Sequence, residues 1–228
     1  MKSIIDQDLL NNFKPKSYDN TFLLSFEGIE GSGKSTQIKR LTQKLKDSDY
    51  EVSYFREPGG TKFGEKLRSA ILESDSPIDP LAEANLFAAS RAQLLSQIVL
   101  PILEKPNQVV ILDRYMDSSL AYQGEARGLG AKCILDLHKR PPLNTTAHCT
   151  FYLKIDTDTS LTRQSARGDE KDYFEKENID FYQKLITGFD RAAEIFKERI
   201  QVIDGSLDED TVANLILQSI KAKTSIKL

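Results

Sequence analysis

The chain has 228 residues, a formal net charge of −3, and a composition of 39% hydrophobic and 29% charged residues. These proportions are typical of a soluble globular protein, and the acidic balance argues against a general nucleic-acid binder. Cys133 and Cys149 are too few for a disulfide framework, and we find no secretory signal and no apolar run that approaches bilayer-spanning length. We therefore expect a cytoplasmic protein without a membrane or nucleic-acid partner.

The chain alternates between strand and helix patterns after a polar start. Residues 1–20 predict a loosely ordered N-terminal extension, and residues 21–228 predict one domain, because no linker or repeat divides them. The predicted strands are 21–27, 51–55, 108–113, 150–155 and 200–203. The predicted helices are 34–46, 62–72, 80–104 with a bend near Pro101, 157–166, 176–198 and 209–222. This order favours the α/β class, with a parallel sheet covered on both faces and ligands at the carboxyl ends of its strands.

A phosphate-binding loop follows the first predicted strand. The segment from Gly28 to Ser35, GIEGSGKS, fits the Walker A pattern GxxxxGK[ST] and opens a predicted helix. Its glycines let backbone N–H groups point at phosphate oxygens, Lys34 reaches the β- and γ-phosphates, and the Ser35 hydroxyl is a Mg²⁺ ligand. We expect ATP to bind along Gly28, Ile29, Glu30, Gly31, Ser32, Gly33, Lys34, Ser35 and Thr36.

The third predicted strand supports the same chemistry. Residues 109–113, VVILD, form an apolar run that ends in a carboxylate, which is the Walker B arrangement. We expect Asp113 to hold Mg²⁺ directly or through water. Arg114 follows it, and Arg56 occupies the equivalent place after the second strand. Because guanidinium groups bond two phosphate oxygens at once, this pair indicates a second phosphate on an acceptor.

Three classes of P-loop protein remain in competition at this point: a GTPase switch, an ATPase that drives a partner, and a small-molecule kinase. The GTPase strings NKxD and DxxG do not occur in the chain. A phosphate acceptor is already dianionic at neutral pH, with a second pKa near 6, so it needs no general base. This suits a chain whose histidines, His138 and His148, lack partners at catalytic spacing and indicate surface or hydrogen-bonded structural residues. The residues favour a kinase without excluding a partner-driven ATPase.

Several segments together resemble bacterial thymidylate kinases. They are 28–36, REPGGT at 56–61, NLFAASRAQ at 85–93, DRYMDSSLAYQGEARGLG at 113–130 and TFYLKIDTDTSLTRQSARGD at 150–169, in the order of that family. The resemblance extends from residue 21 to about 220. It implies transfer of the ATP γ-phosphoryl group to dTMP, on a P-loop nucleoside-monophosphate-kinase fold with a five-stranded parallel sheet, helices on both faces and a lid.

The resemblance also implies roles for individual residues in the dTMP site. Phe87 matches the aromatic residue that stacks on thymine, and Arg91 and Ser119 match residues that bond the base. Tyr122 matches the tyrosine that packs where a 2′-hydroxyl would lie, and Glu30 the acid that meets the 3′-hydroxyl. Arg56 and Arg114 match the arginines that bind the acceptor phosphate.

A basic lid at about 163–175 is the last implied part of the site. In the bacterial type the lid supplies catalytic charge, so the resemblance adds Arg163 and Arg167 to Lys34 and Arg114 as catalytic residues. The chain departs from the family pattern at Tyr173, which replaces an arginine and leaves the lid less basic. Residues 204–206 resemble the loop beside the ATP adenine, and the family implies a homodimer.

Overall fold

The computed structural model describes residues 5–166, 173–174 and 177–228. In that part of the chain, five parallel strands form one sheet in the order β2-β3-β1-β4-β5. The strands are β1 Phe22–Glu27, β2 Glu51–Arg56, β3 Gln108–Asp113, β4 Cys149–Lys154 and β5 Ile200–Asp204. The predicted strands are therefore confirmed, each within one residue at either end.

The helices of the main domain are α2 Lys34–Lys46, α3 Lys62–Leu72, α4 Pro80–Leu94, α5 Leu100–Leu103, α6 Met116–Ser119, α7 Ala131–His138, α8 Thr157–Ser165, α9 Ile179–Ile195 and α10 Glu209–Lys223. The predictions for α2 and α3 are confirmed at both ends. The predicted helix 80–104 is interrupted by a π-helical turn at Leu95–Val99, just before Pro101, which has no N–H to donate.

Each face of the sheet is covered by its own hydrophobic core. Because side chains alternate along a strand, Leu23 packs in one core and Leu24 in the other. The first core also holds residues of α4, α7 and α9, and the second lies between the sheet, α2 and α10. This is the packing that near-continuous apolar strands require.

The N-terminal extension is partly folded onto the domain. Residues Gln7–Leu10 form the short helix α1, capped by Asp6, whose side chain accepts the N–H of Asp8. Phe13 is buried in the first core and meets the Phe196 ring edge-on. Lys14 pairs with Thr145 in an isolated parallel bridge. The expectation of a loose tail is therefore wrong for residues 5–14, because one aromatic side chain has a buried place to pack.

The connection between β3 and β4 contains more helix than the sequence predicted. Helix α6 runs into a π-helical turn at Leu120–Ala126, and α7 follows after Gly130. No predicted helix covered this region: small residues hide the periodicity up to Ala126, and α7, which is periodic, has only eight residues. The turn packs closely on α9, where a Cβ on Gly188 would lie 2.6 Å from the Cα of Ala121.

One helical stretch among the described residues meets the length and composition of a membrane span. It is Pro80–Leu103, with 24 residues and a mean hydropathy of 1.4 in its most apolar window, of which 44% is buried in the protein. The expectation that no apolar run approaches spanning length is therefore wrong by this measure. The same stretch carries the buried charges Glu83 and Arg91, and core helices of soluble proteins pass the same test.

Candidate active site

The phosphate-binding loop is held between β1 and α2 by glycines in conformations that other residues avoid. Gly28 has a φ of 140°, and a Cβ there would lie 2.6 Å from the carbonyl oxygen of Leu153. Gly33, with a φ of 92°, precedes α2 and provides no side-chain cap. The first N–H groups of this 13-residue helix are therefore left for an anion.

Lys34 is folded back onto the loop that it would serve. Its Nζ donates to the carbonyl oxygens of Gly28, at 2.9 Å, and Ile29, at 3.1 Å, and lies 3.4 Å from the Ser32 hydroxyl. Burial, with the nearby charge of Arg114, lowers the pKa of the Lys34 ammonium to about 8, against the opposing effect of neighbouring carboxylates. The lysine thus fills the loop and can exchange these carbonyls for phosphate oxygens.

Asp113 ends β3 beside the loop and has one free carboxylate oxygen. Tyr54 donates its hydroxyl to Oδ2 over 3.3 Å, whereas the buried Oδ1 has no partner among the described residues. The hydroxyl of Ser35 lies on the exposed side of the first turn of α2. An unpaired buried carboxylate oxygen and a serine hydroxyl are oxygen donors of the kind that Mg²⁺ prefers, so these residues fit the metal.

A cleft of about 400 Å³ opens on the β2–β3 side of the loop. Of the seven residues expected to bind dTMP, five line it: Glu30, Arg56, Phe87, Arg114 and Tyr122. Arg56 is exposed and makes no ion pair with another described residue, so its guanidinium is free for an anion. The cleft therefore joins cations and aromatic rings at the carboxyl edge of the sheet, as the sequence predicts.

Arg114 is fixed in an unusual backbone conformation at this edge. Its φ of 69° is rare for a residue other than glycine, and such conformations occur often at functional sites. The buried Glu27 carboxylate holds the following turn, since Oε1 accepts the N–H of Tyr115 at 2.8 Å and Oε2 the hydroxyl of Ser118. The NH1 group of Arg114 donates to Gly28 O over 3.2 Å, which joins the cleft to the loop.

Glu30 connects the loop to the same arginine. Its Oε1 forms a close ion pair with Arg114 NH2, and its Oε2 accepts the Tyr122 hydroxyl at 3.2 Å. Burial alone would raise the pKa of Glu30, but Arg114 and Lys34 outweigh it and lower the pKa to about 2. The Arg114 guanidinium carbon also lies 5.1 Å from the centroid of the Tyr122 ring.

Aromatic rings form the apolar wall of the cleft. Phe174 meets Tyr122 edge-on, with 5.2 Å between ring centroids, and its ring is tilted against that of Phe87 at 6.1 Å. Tyr173 accepts the N–H of Ile78 over 3.3 Å, and its ring lies 5.4 Å from the guanidinium carbon of Arg127. The tyrosine that replaces the family's lid arginine is thus packed beside this wall.

Arg91 and Ser119 lie behind the cleft and do not line it. Arg91 is 1% exposed, and its guanidinium bonds Glu57 Oε2 at 2.6 Å and Ser119 Oγ at 3.0 Å. His138 is the third partner, at 2.7 Å. His138 is buried, and His148 accepts the N–H of Leu23 at 3.0 Å. Both histidines are therefore hydrogen-bonded structural residues and not surface residues.

A second cleft, of about 730 Å³, lies on the β4–β5 side of the loop. Gly31, Ser32, Gly33 and Thr36 line it, together with Gly205 and Arg163. Arg163 NH1 donates to the carbonyl oxygens of Gly31 and Gly205, each at 3.0 Å. Arg163 therefore lies in this second cleft and not in the one that Arg56 and Arg114 line. Arg167 and most of the predicted lid lie outside the described residues.

Sequence reasoning missed several residues of the first cleft, namely Glu57, Pro58, Arg68, Leu72, Ser118, Gln123 and Phe174. Arg68 lies on α3 and donates to Pro58 O at 3.0 Å. The sequence of this segment predicted a helix at 62–72 and no binding residue. Glu57 and Gln123 were part of matched segments, but no spacing rule set them apart from their neighbours.

The parallel sheet, the phosphate-binding loop and the arginine-lined cleft beside it define a P-loop phosphotransferase. The family model described as "Thymidylate kinase" matches residues 26–216. A thymidylate kinase of Caldanaerobacter subterraneus subsp. tengcongensis is 38% identical over 87% of this chain and 94% of its own, and one of Acholeplasma laidlawii is 41% identical over 86% and 97%. The crystal structure of the Ehrlichia chaffeensis thymidylate kinase superposes with a TM-score of 0.70 at 28% identity, over 89% of this chain and 99% of that one.

The chain therefore belongs to the thymidylate kinase family, whose members phosphorylate dTMP to dTDP. Membership confirms the prediction of a phosphotransferase with the P-loop nucleoside-monophosphate-kinase fold. It excludes the partner-driven ATPase that the motifs alone had left open.

Proposed function

We propose that this chain performs the family's reaction with two polyanions held on opposite sides of its phosphate-binding loop. ATP lies along residues 28–36 and extends into the cleft beside Arg163 and Gly205. The dTMP molecule occupies the cleft between Arg56 and Phe87. The observation that carries the proposal is the bond between Arg114 and Gly28 O, because it sets an acceptor-phosphate cation 3.2 Å from the loop of the donor.

Catalysis in this arrangement consists of positioning and charge neutralisation. The acceptor phosphate attacks as a dianion and needs no base, which agrees with a cleft whose lining contains no histidine. Arg56 and Arg114 orient the acceptor phosphate, and Lys34 leaves the loop carbonyls to bond the transferring group. We retain Arg163 and Arg167 as candidates for additional cationic stabilisation from the lid.

We also propose that Mg²⁺ is bound between Ser35 and Asp113. The support is the unpaired Oδ1 of Asp113. When bound, the metal neutralises charge on the phosphate oxygens. Tyr54 holds Oδ2 and so keeps Oδ1 turned away from it.

The wider setting is also a proposal. We infer a cytoplasmic homodimer without nucleic-acid or membrane partners, built of an extension at 1–20 and a kinase domain at 21–228 with a lid at about 163–175. The net charge of −3 supports the absence of a nucleic-acid partner. The exposed side chains of Phe63 and Leu81 support a protein interface. Light scattering of the purified protein gives the molar mass that tests the dimer.

The decisive experiment offers the protein ATP, Mg²⁺ and a panel of nucleoside monophosphates. We expect dTDP to form fastest. If another diphosphate forms faster, the acceptor assignment is overturned. If ATP is consumed equally without any monophosphate, the two-polyanion arrangement is overturned.

A further inference from the structure

The guanidinium of Arg91 is almost completely committed to protein partners. Arginine has five N–H donors and no acceptor. Nε donates to Glu57, and NH1 donates to both Ser119 and His138. NH2 is the only nitrogen of the group that has no partner among the described residues. Because Glu57 lines the cleft, this guanidinium lies directly behind the cleft wall.

The hydrogen bonds of His138 determine its tautomer. Nδ1 lies 2.8 Å from Ile134 O, four residues earlier on α7, and a carbonyl oxygen can only accept, so Nδ1 carries the proton. Nε2 must then offer its lone pair to Arg91 NH1 at 2.7 Å. Burial, followed by the charge of Arg91, lowers the pKa of His138 to about 3, so the ring stays neutral in the physiological range. His138 cannot act there as an acid or as a base.

We propose that His138 is a positioning residue for acceptor recognition: it fixes NH1 of Arg91 so that NH2 remains available to the acceptor base. This inference rests on the proposed function, since it deepens the role of Arg91. Without the Nε2 acceptor, one hydrogen of NH1 is buried without a partner. The guanidinium then turns to satisfy it, and the geometry at NH2 is lost.

Two substitutions separate the acceptor role from simple packing. His138→Leu removes the hydrogen-bond acceptor Nε2 with little change in side-chain volume. His138→Gln places an amide oxygen near the position of Nε2. We expect His138→Leu to raise the KM for dTMP about tenfold, the cost of one hydrogen bond to a charged group, and to leave kcat and the KM for ATP within about twofold. His138→Gln should restore most of the affinity for dTMP.

His148→Leu is the matched control, because His148 is also a hydrogen-bond acceptor, although only partly buried, and bonds a backbone N–H away from the cleft. It should leave the KM for dTMP unchanged even if it lowers the melting temperature. An unchanged KM in a folded His138→Leu protein overturns the proposal, as does an equal rise in all three variants. If wild-type protein forms no dTDP, the proposed function fails instead.

A measurement on wild-type protein covers the case in which His138→Leu does not fold. Nitrogen-15 NMR of the histidine rings should show His138 protonated at Nδ1 and unprotonated at Nε2 from pH 6 to 8. Adding dTMP should perturb the Arg91 side-chain signals and leave this tautomer in place. A proton on Nε2 overturns the proposal, because Arg91 could not then donate to that atom.

Discussion

The carboxylate of Glu30, in the loop after β1, is ion-paired with the guanidinium of Arg114, which directly follows the neighbouring strand β3. The pair joins the phosphate-binding loop to the cleft in which we propose that the acceptor binds. Its members are 14% and 10% exposed at the side chain, so solvent screens their attraction only slightly. In the proposed function, Arg114 therefore meets the acceptor phosphate with its guanidinium already oriented.

Replacement of Arg114 by alanine should nearly abolish acceptor turnover. An arginine that stabilises the charge of the reacting phosphates contributes on the order of a thousandfold in rate, and we expect that loss in kcat/KM for dTMP. Steady-state assays measure it, with Arg140→Ala, an exposed arginine away from both clefts, as the control. If Arg114→Ala forms dTDP at the wild-type rate, the assignment is wrong.

The Glu30 pair should make stability depend on acidic pH. A pKa lowered from 4.5 to about 2 means that Glu30 stabilises the fold fully above about pH 4.5 and loses this contribution as the pH falls towards 2. We expect Glu30→Gln to lower the free energy of unfolding at pH 7 by up to about 3 kcal/mol. Denaturant unfolding of both proteins between pH 2 and 7 measures the difference. A difference that does not shrink in acid contradicts the pairing.

Tyr122 should control the preference for deoxyribose by the bulk of its ring. We expect Tyr122→Ala to raise the relative kcat/KM for the ribonucleotide about tenfold or more, because the space for a 2′-hydroxyl opens. Tyr122→Phe keeps the ring and loses only the 3.2 Å bond to Glu30, so discrimination should persist. Competition assays with both nucleotides measure the ratio. Equal ratios in wild type and Tyr122→Ala count against this role.

Lys34 should make ATP capture sensitive to alkaline pH. With a pKa of about 8 in the free protein, its ammonium loses charge above that pH, and kcat/KM for ATP should fall tenfold per unit. Bound phosphate favours the charged form, so kcat should fall only at higher pH. The measurement compares the pH profiles of kcat/KM for ATP and of kcat between pH 6.5 and 9.5. The affinity for inorganic triphosphate over the same pH range tests the charge of Lys34 without catalysis. If kcat and kcat/KM for ATP fall at the same pH, the lowered pKa of Lys34 in the free protein is contradicted.

Phe13 should anchor the N-terminal extension. It is 8% exposed and packs in the first core, so Phe13→Ala should cost about 2–4 kcal/mol of unfolding free energy. Tyr18→Ala, at a side chain 38% exposed, should change stability by no more than about 0.5 kcal/mol. Thermal and denaturant melts measure both. If Phe13→Ala lowers the free energy of unfolding by no more than Tyr18→Ala does, Phe13 does not anchor the extension.

The sheet and the phosphate-binding loop were predictable because their signals are local. Residues 109–113 are apolar throughout and end in Asp113, and residues 28–35 carry a fixed pattern of glycines. The placement of Phe13 was not predictable, since a single aromatic residue in a polar segment packs only if a distant core has room for it. The region from Met116 to Ala126 escaped because its small residues and its π-helical turn show no 3.6-residue period. Helix α7 does show that period, at Ala131, Ile134, Leu135 and His138, but it is only eight residues long.

The sequence predicted which types of residue form the site, but it did not predict which of them are buried and which are exposed. Sequence reasoning grouped Arg91 with Arg56 as ligand-binding arginines, yet one is buried and bonded to three side chains while the other is exposed. Burial depends on what packs from α7, and no motif in the chain encodes that contact. The partnership between Arg91 and His138 therefore depends on the tertiary packing of α4 against α7.

The central position of β1 in the strand order has a consequence for engineering and divergence. The cleft proposed for the acceptor is built on the β2–β3 flank and the cleft proposed for ATP on the β4–β5 flank, with the phosphate-binding loop between them. Strand β1 separates substitutions on one flank from those on the other. The free-energy changes caused by a substitution on each flank should therefore be additive. A new acceptor preference can thus be selected without retuning how the triphosphate is held.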